Sequence, residues 1–221
     1  MQQIKPLKID ELLLSDHFYL NPEDDCYYFK EYVAKAGFEN ITNSLIFNFK
    51  KKLDKKDLPE WKYKGQAIRE IAELFSKTLP SFLNLKKITF VPIPPSKCKQ
   101  NSLYDDRMVR VLKIFKENYN KTDFRELILT KNDIKAVHEY GEEKRPEIAE
   151  LQHNLVVDRS CQDDLKETIV LLDDVITTGA HFKACKNLLQ KKFPDKKVIG
   201  IFIARRSIMA GIKDDFTDLR E

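Results

Sequence analysis

Glycine is scarce in this sequence of 221 residues: six in all, never clustered. The scarcity excludes the glycine-rich phosphate cradles, and neither GxxxxGK[ST] nor GxGxxG occurs. Four cysteines, Cys26, Cys98, Cys161 and Cys185, stand far apart with no CxxC pair and no histidine at ligand spacing. A zinc site is therefore not expected, and free thiols in a reducing cytoplasm are. No apolar run approaches the ~18 residues of a membrane span. Lys5, Lys8, Asp10 and Glu11 interrupt the N-terminus, so no signal peptide and no membrane partner are expected. Charge of one sign is also lacking: 39 Lys and Arg against 35 Asp and Glu leave +4, too small a surplus to indicate nucleic acid by itself.

What is present suits one globular domain with an elaboration, since 42% of residues are hydrophobic and no repeat or Ser/Gly linker divides the chain. Residues 1–86 read as an N-terminal lobe. In it Leu45, Phe47 and Phe49 alternate with Ile46, Asn48 and Lys50 as in a strand, Leu53 to Lys64 reads as a loop, and Ile68, Ile71, Ala72 and Phe75 recur at helical spacing. From Lys87 to the end, short apolar strands alternate with amphipathic helices, which predicts an α/β core: a parallel sheet flanked by helices, with the N-terminal lobe covering it. The strands expected are Ile88 to Val91, Leu127 to Thr130, Ile169 to Leu172 and Val198 to Ala204. Met108, Val111, Leu112 and Phe115 mark one helix, and Phe182, Cys185, Leu188 and Leu189 another. A polar stretch at about 131–158, holding His138, Tyr140, Lys144 and Arg145, fits neither period and reads as surface or as a flexible loop that closes on a site. The lysine runs at Lys50 to Lys56 and Lys191 to Lys197 read first as solvated surface and second as contacts for polyphosphate or DNA.

The richest segment is Ile169-Val-Leu-Leu-Asp-Asp-Val-Ile-Thr-Thr-Gly-Ala-His181. A strand reaches the acids Asp173 and Asp174, and a turn of Thr177, Thr178, Gly179 and Ala180 leads into a helix. The turn's amides, the Thr hydroxyls and the helix N-terminus suit a phosphate monoester. The acids would repel that phosphate if they shared its pocket, so sugar hydroxyls or a divalent metal are their better partners. A ribose phosphate meets both requirements. Simple capping of the next turn would explain any one of these residues, but it explains the whole run poorly.

The run Asp173-Asp174-Val175-Ile176-Thr177-Thr178-Gly179-Ala180 resembles the phosphoribosyl-pyrophosphate (PRPP) motif of type I phosphoribosyltransferases. Val91-Pro92-Ile93-Pro94-Pro95-Ser96-Lys97 is similar to the proline turn of the ComF-like branch, where a pyrophosphate loop follows the first core strand. Leu45 to Lys50, Lys64-Gly65 and Arg145, Gln152 and Asn154 extend the likeness, which covers about Leu45 to Arg206. The resemblance implies a type I phosphoribosyltransferase-like fold. It also implies Asp173 and Asp174 on the ribose hydroxyls and Mg, Val175 through Ala180 and His181 around the 5′-phosphate, and Pro95, Ser96, Lys97 or Lys99, and Arg145 toward pyrophosphate.

Departures from that pattern are informative. His181 replaces the Thr or Ser that ends the family's phosphate loop, and Tyr104-Asp105-Asp106-Arg107-Met108 stands where the ComF-like branch has Arg-Gly-aromatic-Asn. The ComF-like zinc motif is absent, and Thr177 occupies the position of the acid that purine-salvage transferases use on the base. Three functions follow as expectations: transfer of phosphoribosyl to a nitrogen acceptor with release of pyrophosphate, non-catalytic binding of PRPP or a nucleotide, and a ComF-like accessory role with DNA or a DNA-processing partner. A homodimer stays open.

Overall fold

Ile169-Val-Leu-Leu172 points apolar side chains to both sides of a strand, so both sides must be covered. The structure, a computed structural model that describes residues 5–34, 36–133 and 148–207, covers both. In chain order it contains β1 (Leu7–Lys8), β2 (Cys26–Val33), α1 (Ile41–Phe49), α2 (Lys62–Phe82), β3 (Ile88–Pro92), α3 (Arg107–Asn118), β4 (Asp123–Phe124), β5 (Ile128–Thr130), α4 (Ile148–His153), β6 (Leu155–Val157), β7 (Thr168–Ile176), α5 (Ala180–Lys192) and β8 (Lys197–Ser207). The main sheet runs β1-β2-β8-β7-β3-β4, parallel throughout except for β1. Val170 and Leu172 join a core with residues of α1, α2 and α3, including Phe49, Ile71, Phe75 and Phe115. Ile169 and Leu171 pack on the other side with Phe182, Cys185 and Leu189 of α5. The fold is thus α/β, with a mostly parallel six-stranded sheet between helices.

Strands from both sides of residue 86 share this sheet. Cys26 to Val33 lies parallel to β8 in the register Cys26↔Gly200 to Val33↔Ser207, so the first part of the chain supplies a sheet strand as well as covering helices. Leu45 to Phe49, expected as a strand, is helical. Its apolar residues satisfy both periods, and a cap and a contact ten residues back decide for the helix. Asn40 caps the amide of Asn43 at 3.0 Å, and the Asn43 side chain bonds both the N–H (3.1 Å) and the C=O (2.8 Å) of Val33. Lys62 to Lys64, expected within a loop, opens α2. Pro80 within α2 frees the carbonyl of Ser76, and Tyr119 Oη donates to it at 3.0 Å, joining α2 to the end of α3.

The remaining expected strand, Leu127 to Thr130, belongs to a separate antiparallel ribbon of β5 and β6. The stretch at about 131–158 is therefore partly built into the fold: α4 packs on α5, and Asn154, largely buried, exchanges hydrogen bonds with the backbone of Asn132. Residues 134–147, including His138, Tyr140 and Arg145, lie outside the described residues. Among the described residues no helix is long and apolar enough to cross a membrane.

Asp24 fastens the segment before β2 to α5. It is buried and receives Lys183 and Lys186, each at 2.6 Å. Burial pushes its carboxyl upward, but the two lysines more than offset this and hold it below the usual carboxylate range. Asp24→Asn leaves two lysines short of a counter-charge and is expected to cost about 3 kcal/mol at neutral pH. A depressed carboxyl stabilises the fold above its unfolded pKa of about 4, and wild type loses this advantage as pH falls from there through the lower folded value. Urea melts at pH 7 and pH 3 check it: the gap between the two proteins is narrower at pH 3.

Candidate functional site

In an open parallel sheet, ligands bind beyond the carboxyl ends of the strands, where the chain leaves neighbouring strands in opposite directions. Here that point lies between β3, whose next sheet neighbour in sequence is β4 on one side, and β7, which lies on the other. The last paired residues are Pro92 and Leu172, while β7 continues beside the longer β8 in the register Asp173↔Phe202 to Ile176↔Arg205. Past Leu172, β7 is flanked by a strand on one side alone, and the space left by the end of β3 opens there. The strand does not end at the two acids, as the sequence suggests, but carries them through it.

The pleat sends the acids different ways. Asp174, 4% exposed, faces the helices of the N-terminal side. Its Oδ2 accepts Nη2 and Nε of Arg107, from the start of α3, at 2.6 and 3.1 Å, and Nζ of Lys50, at the end of α1, stands 3.6 Å from Oδ1. Burial would raise the Asp174 carboxyl, but Lys50 and Arg107 overcome it and hold the acid ionised, well below the usual range. Arg107 is correspondingly held protonated: burial opposes its charge, and Asp174 and Asp105 outweigh burial. Asp173 lines a cleft in front of α5. Burial first, then its charged neighbour Asp174, push its carboxyl up to about 7.

The cleft is open to solvent, spans about 510 Å³ with the solvent at its mouth included, and is lined by Asp173, Val175, Ile176, Thr177, Thr178, Gly179, Ala180 and His181, with Tyr19, Leu151 and Phe202 around them. A strap from the N-terminal part fixes the turn's orientation. His17 Nδ1 donates to the carbonyl of Thr177, and Tyr19 N donates to the carbonyl of Thr178 at 2.9 Å. In planar trans peptides the amides of Thr178 and Gly179 then point away from the strap. They join the amides of the first turn of α5, which have no partner within the helix. Burial holds His17 below its ordinary pKa, in keeping with a neutral ring that donates from Nδ1. Leu20 closes over Gly179, which has φ +85° and whose Cβ, if present, would lie 2.7 Å from Leu20 Cδ2. His181 is also held below its ordinary pKa, by burial and then by Lys50, against the opposing pull of Asp174.

The proline turn adjoins this cleft. Pro94, Pro95 and Ser96 line a neighbouring hollow together with Asn154 and Ala184, and Leu151 and His181 line both. Thr130 Oγ1 donates to the carbonyl of Pro95 at 2.7 Å, so β5 holds the turn in place. Lys97 follows but lines neither hollow, Lys99 is paired with Glu126 at 3.0 Å, and Arg145 lies outside the described residues. Val175 and Ile176 are buried and also line the cleft. Among the described residues no group of three or more His, Cys, Asp or Glu could hold a metal ion. Asp174 is committed to Arg107 and Lys50, which leaves Asp173 as the carboxylate on the cleft side.

His17 and Tyr19 form no motif in the sequence. Arg107 stands within a departure from the family pattern, and Lys50 and Lys64 belong to the segments Leu45 to Lys50 and Lys64-Gly65 that extend the likeness, with nothing local to show the charge network they share. His17 carried no local signal, because its partner is 160 residues away.

Gly179→Ala is expected to cost about 2 to 4 kcal/mol, from a strained left-handed backbone plus the clash with Leu20. In a Leu20→Ala background the clash term disappears and the backbone term of about 1 kcal/mol remains, so a double-mutant cycle by urea denaturation reads a large coupling. For Asp173 the sign is opposite to that for Asp24. A carboxyl raised in the folded state favours folding when protonated, so its contribution is complete below about pH 4 and is lost as pH rises through 7. Asp173→Asn removes that loss, and melts at pH 5 and pH 8 are expected to show the variant gaining on wild type at pH 8.

Comparison with known protein families and with curated proteins finds no match to this chain, so the reading of the cleft rests on its own geometry.

Proposed function

We propose that the chain is a type I phosphoribosyltransferase-like protein that binds PRPP, or a ribose 5-phosphate nucleotide, and transfers the phosphoribosyl group to a nitrogen acceptor. The observation that carries this reading is the strapped turn Thr177 to His181. The carbonyls of Thr177 and Thr178 are engaged by His17 and Tyr19, the amides across those two peptides point the other way, and Asp173 stands four residues upstream on the same cleft. That arrangement supports a phosphate monoester at the helix N-terminus with a sugar hydroxyl on Asp173.

In the reaction, the acceptor nitrogen bonds to the anomeric carbon as the bond from that carbon to the pyrophosphate oxygen breaks, and the electron pair leaves with pyrophosphate. The chain's part is positioning and charge. The α5 turn anchors the 5′-phosphate, Asp173 orients the ribose, and the proline turn lies beside them with amides near Pro95 and Ser96 for the leaving group. Magnesium, when bound with the polyphosphate, would offset its charge. Asp173, but not the committed Asp174, fits that role, with the ligand's own oxygens completing the shell.

A second reading, a PRPP- or nucleotide-binding regulator without transferase activity, is favoured by the position of Asp174. One of the motif's two acids serves the Arg107 network and is not presented to the cleft. The DNA-accessory reading draws less support. Lys51 is buried with Nζ on the carbonyl of Glu60, and Lys50 faces Asp174, so the basic run does not form a continuous exposed patch.

Calorimetry with PRPP, with and without magnesium, tests the binding shared by both readings. Thr178→Val is expected to weaken it about tenfold through loss of a hydrogen bond to a charged group. Binding unchanged in Asp173→Asn would overturn the ribose assignment. Pyrophosphate release across a panel of nucleobases and amines separates transferase from regulator.

A further inference from the structure

A single exposed apolar side chain is ordinary, but on the outer face of α1 several adjoin one another. Ile41 in the first turn is 78% exposed, and Phe38 just before the helix is 56% exposed. Ile41, Ser44 and Phe47 follow at three-residue steps along one face. Ser44 Oγ donates to the carbonyl of Phe38 at 3.1 Å, and the Phe38 ring meets Phe47 edge-on with centroids 4.6 Å apart. Lys51 sets its ammonium 5.5 Å from both the Phe47 and Tyr63 rings, so the face runs on to the exposed Tyr63 at the start of α2.

The chain leaves the sheet beside this face. Ser207, the last residue of β8, pairs with Val33, whose N–H and C=O are both bonded to the Asn43 side chain of α1. Residues 208–221 come next and lie outside the described residues. In their sequence Ile208, Ile212, Phe216 and Leu219 recur at steps of four, four and three, and with Met209 they fall within about 100° of a helical wheel. Asp214, Asp215, Asp218 and Glu221 fall outside that arc. A helix this short, with Gly211 inside it, is marginal by itself and needs a surface for its apolar side. It is about 21 Å long against about 13 Å for α1, so it can span the whole face.

Charge decides between the two open surfaces within reach. Leu12 and Phe18 are also exposed near the end of β8, since Arg205 holds Asp16 at 2.9 Å. Residues 9–20, however, carry Asp10, Glu11 and Asp16 with no Lys or Arg, and would repel a segment of four acids and two bases. Residues 36–64, which contain the α1 face, carry seven lysines against four acids.

We propose that residues 208–221 dock within the same chain as an amphipathic helix on the outer face of α1, with their apolar side on Phe38 and Ile41 and their acids toward the lysines that follow α1.

Hydrogen–deuterium exchange of the full chain, read by mass spectrometry, tests the docking. In wild type the amides of residues 212–219 are expected to exchange at least about tenfold more slowly than in an unstructured chain. Ile41→Asp is expected to remove that protection while β7 and β8 exchange as before, because an acid suits the first turn of a helix and leaves α1 formed. Phe216→Ser is expected to remove it from the other side and to speed exchange in residues 36–47. Free exchange of residues 212–219 in wild type, or protection that survives both variants, overturns the proposal. Protection lost in Leu12→Asp but kept in Ile41→Asp puts the segment on the strap and overturns it too. Protection that appears only as protein concentration rises, with sedimentation showing a dimer, makes the occupant a second copy's segment and rejects docking within one chain.

Discussion

The buried pair between Arg107 and Asp174 is the interaction on which the rest of the site depends. An ionised carboxylate at the end of a central strand would be costly without a partner, because the desolvation of one charge amounts to several kcal/mol. Arg107 supplies that partner with two donors from one planar fork, and its third contact passes the charge on to Asp105 and from there to Lys64. The consequence is structural as well as electrical. Lys64 gathers the carbonyls at the end of α1, Arg107 starts α3, and Asp174 lies on β7, so a single chain of charges sets the helices of the N-terminal part against the carboxyl end of the sheet. Such networks are weak evidence for stability, since a well-packed apolar replacement often serves equally well. Their geometric demand is strict, and here it is imposed beside the cleft.

A second constraint acts from the opposite side. The segment His17 to Asp24 meets the phosphate-loop candidate through two carbonyls and a leucine, and it is fastened behind by the two lysines of α5. The turn is thereby held at both the backbone and the side-chain level without any ligand, which is the arrangement expected of a site whose donors are oriented in advance. The left-handed Gly179 is the one place where this tight approach of strap and turn requires the absence of a side chain.

How much of this could be read in the sequence depended on how local the cause was. β7, β8 and β3 were legible because an uninterrupted apolar run has few uses other than a strand covered on both faces, and α5 followed from a stripe at helical spacing. Leu45 to Phe49 misled because Ile46 is apolar too, so alternation and helical spacing coexist, and the deciding contact is Asn43 with Val33, ten residues back. Cys26 to Val33 escaped notice because Lys30 and Glu31 interrupt its apolar character, as suits a strand less completely enclosed than β7 or β8. The turn and its acids were visible as a motif. That the acids part company was not, because it follows from β8 extending past β3 and keeping β7 extended through Asp173 and Asp174.

That parting removes the conflict that the motif presents when read as a string of residues. Two carboxylates just ahead of a phosphate-binding turn should repel the phosphate they are meant to help hold. In the folded chain the charge of Asp174 is answered by Arg107 and Lys50 on the far side of the strand. Asp173, on the cleft side, is raised toward neutrality by burial and by the negative charge of Asp174 itself. One acid thus keeps its charge by turning away, and its presence helps the other to shed charge where the anion would sit. His181 completes the balance. A protonated imidazole would add attraction but sits badly at a helix N-terminus, and burial together with Lys50 holds it neutral. The turn's pull on an anion, if one binds there, then comes from oriented amides at the head of α5, which a change of pH near neutrality does not remove.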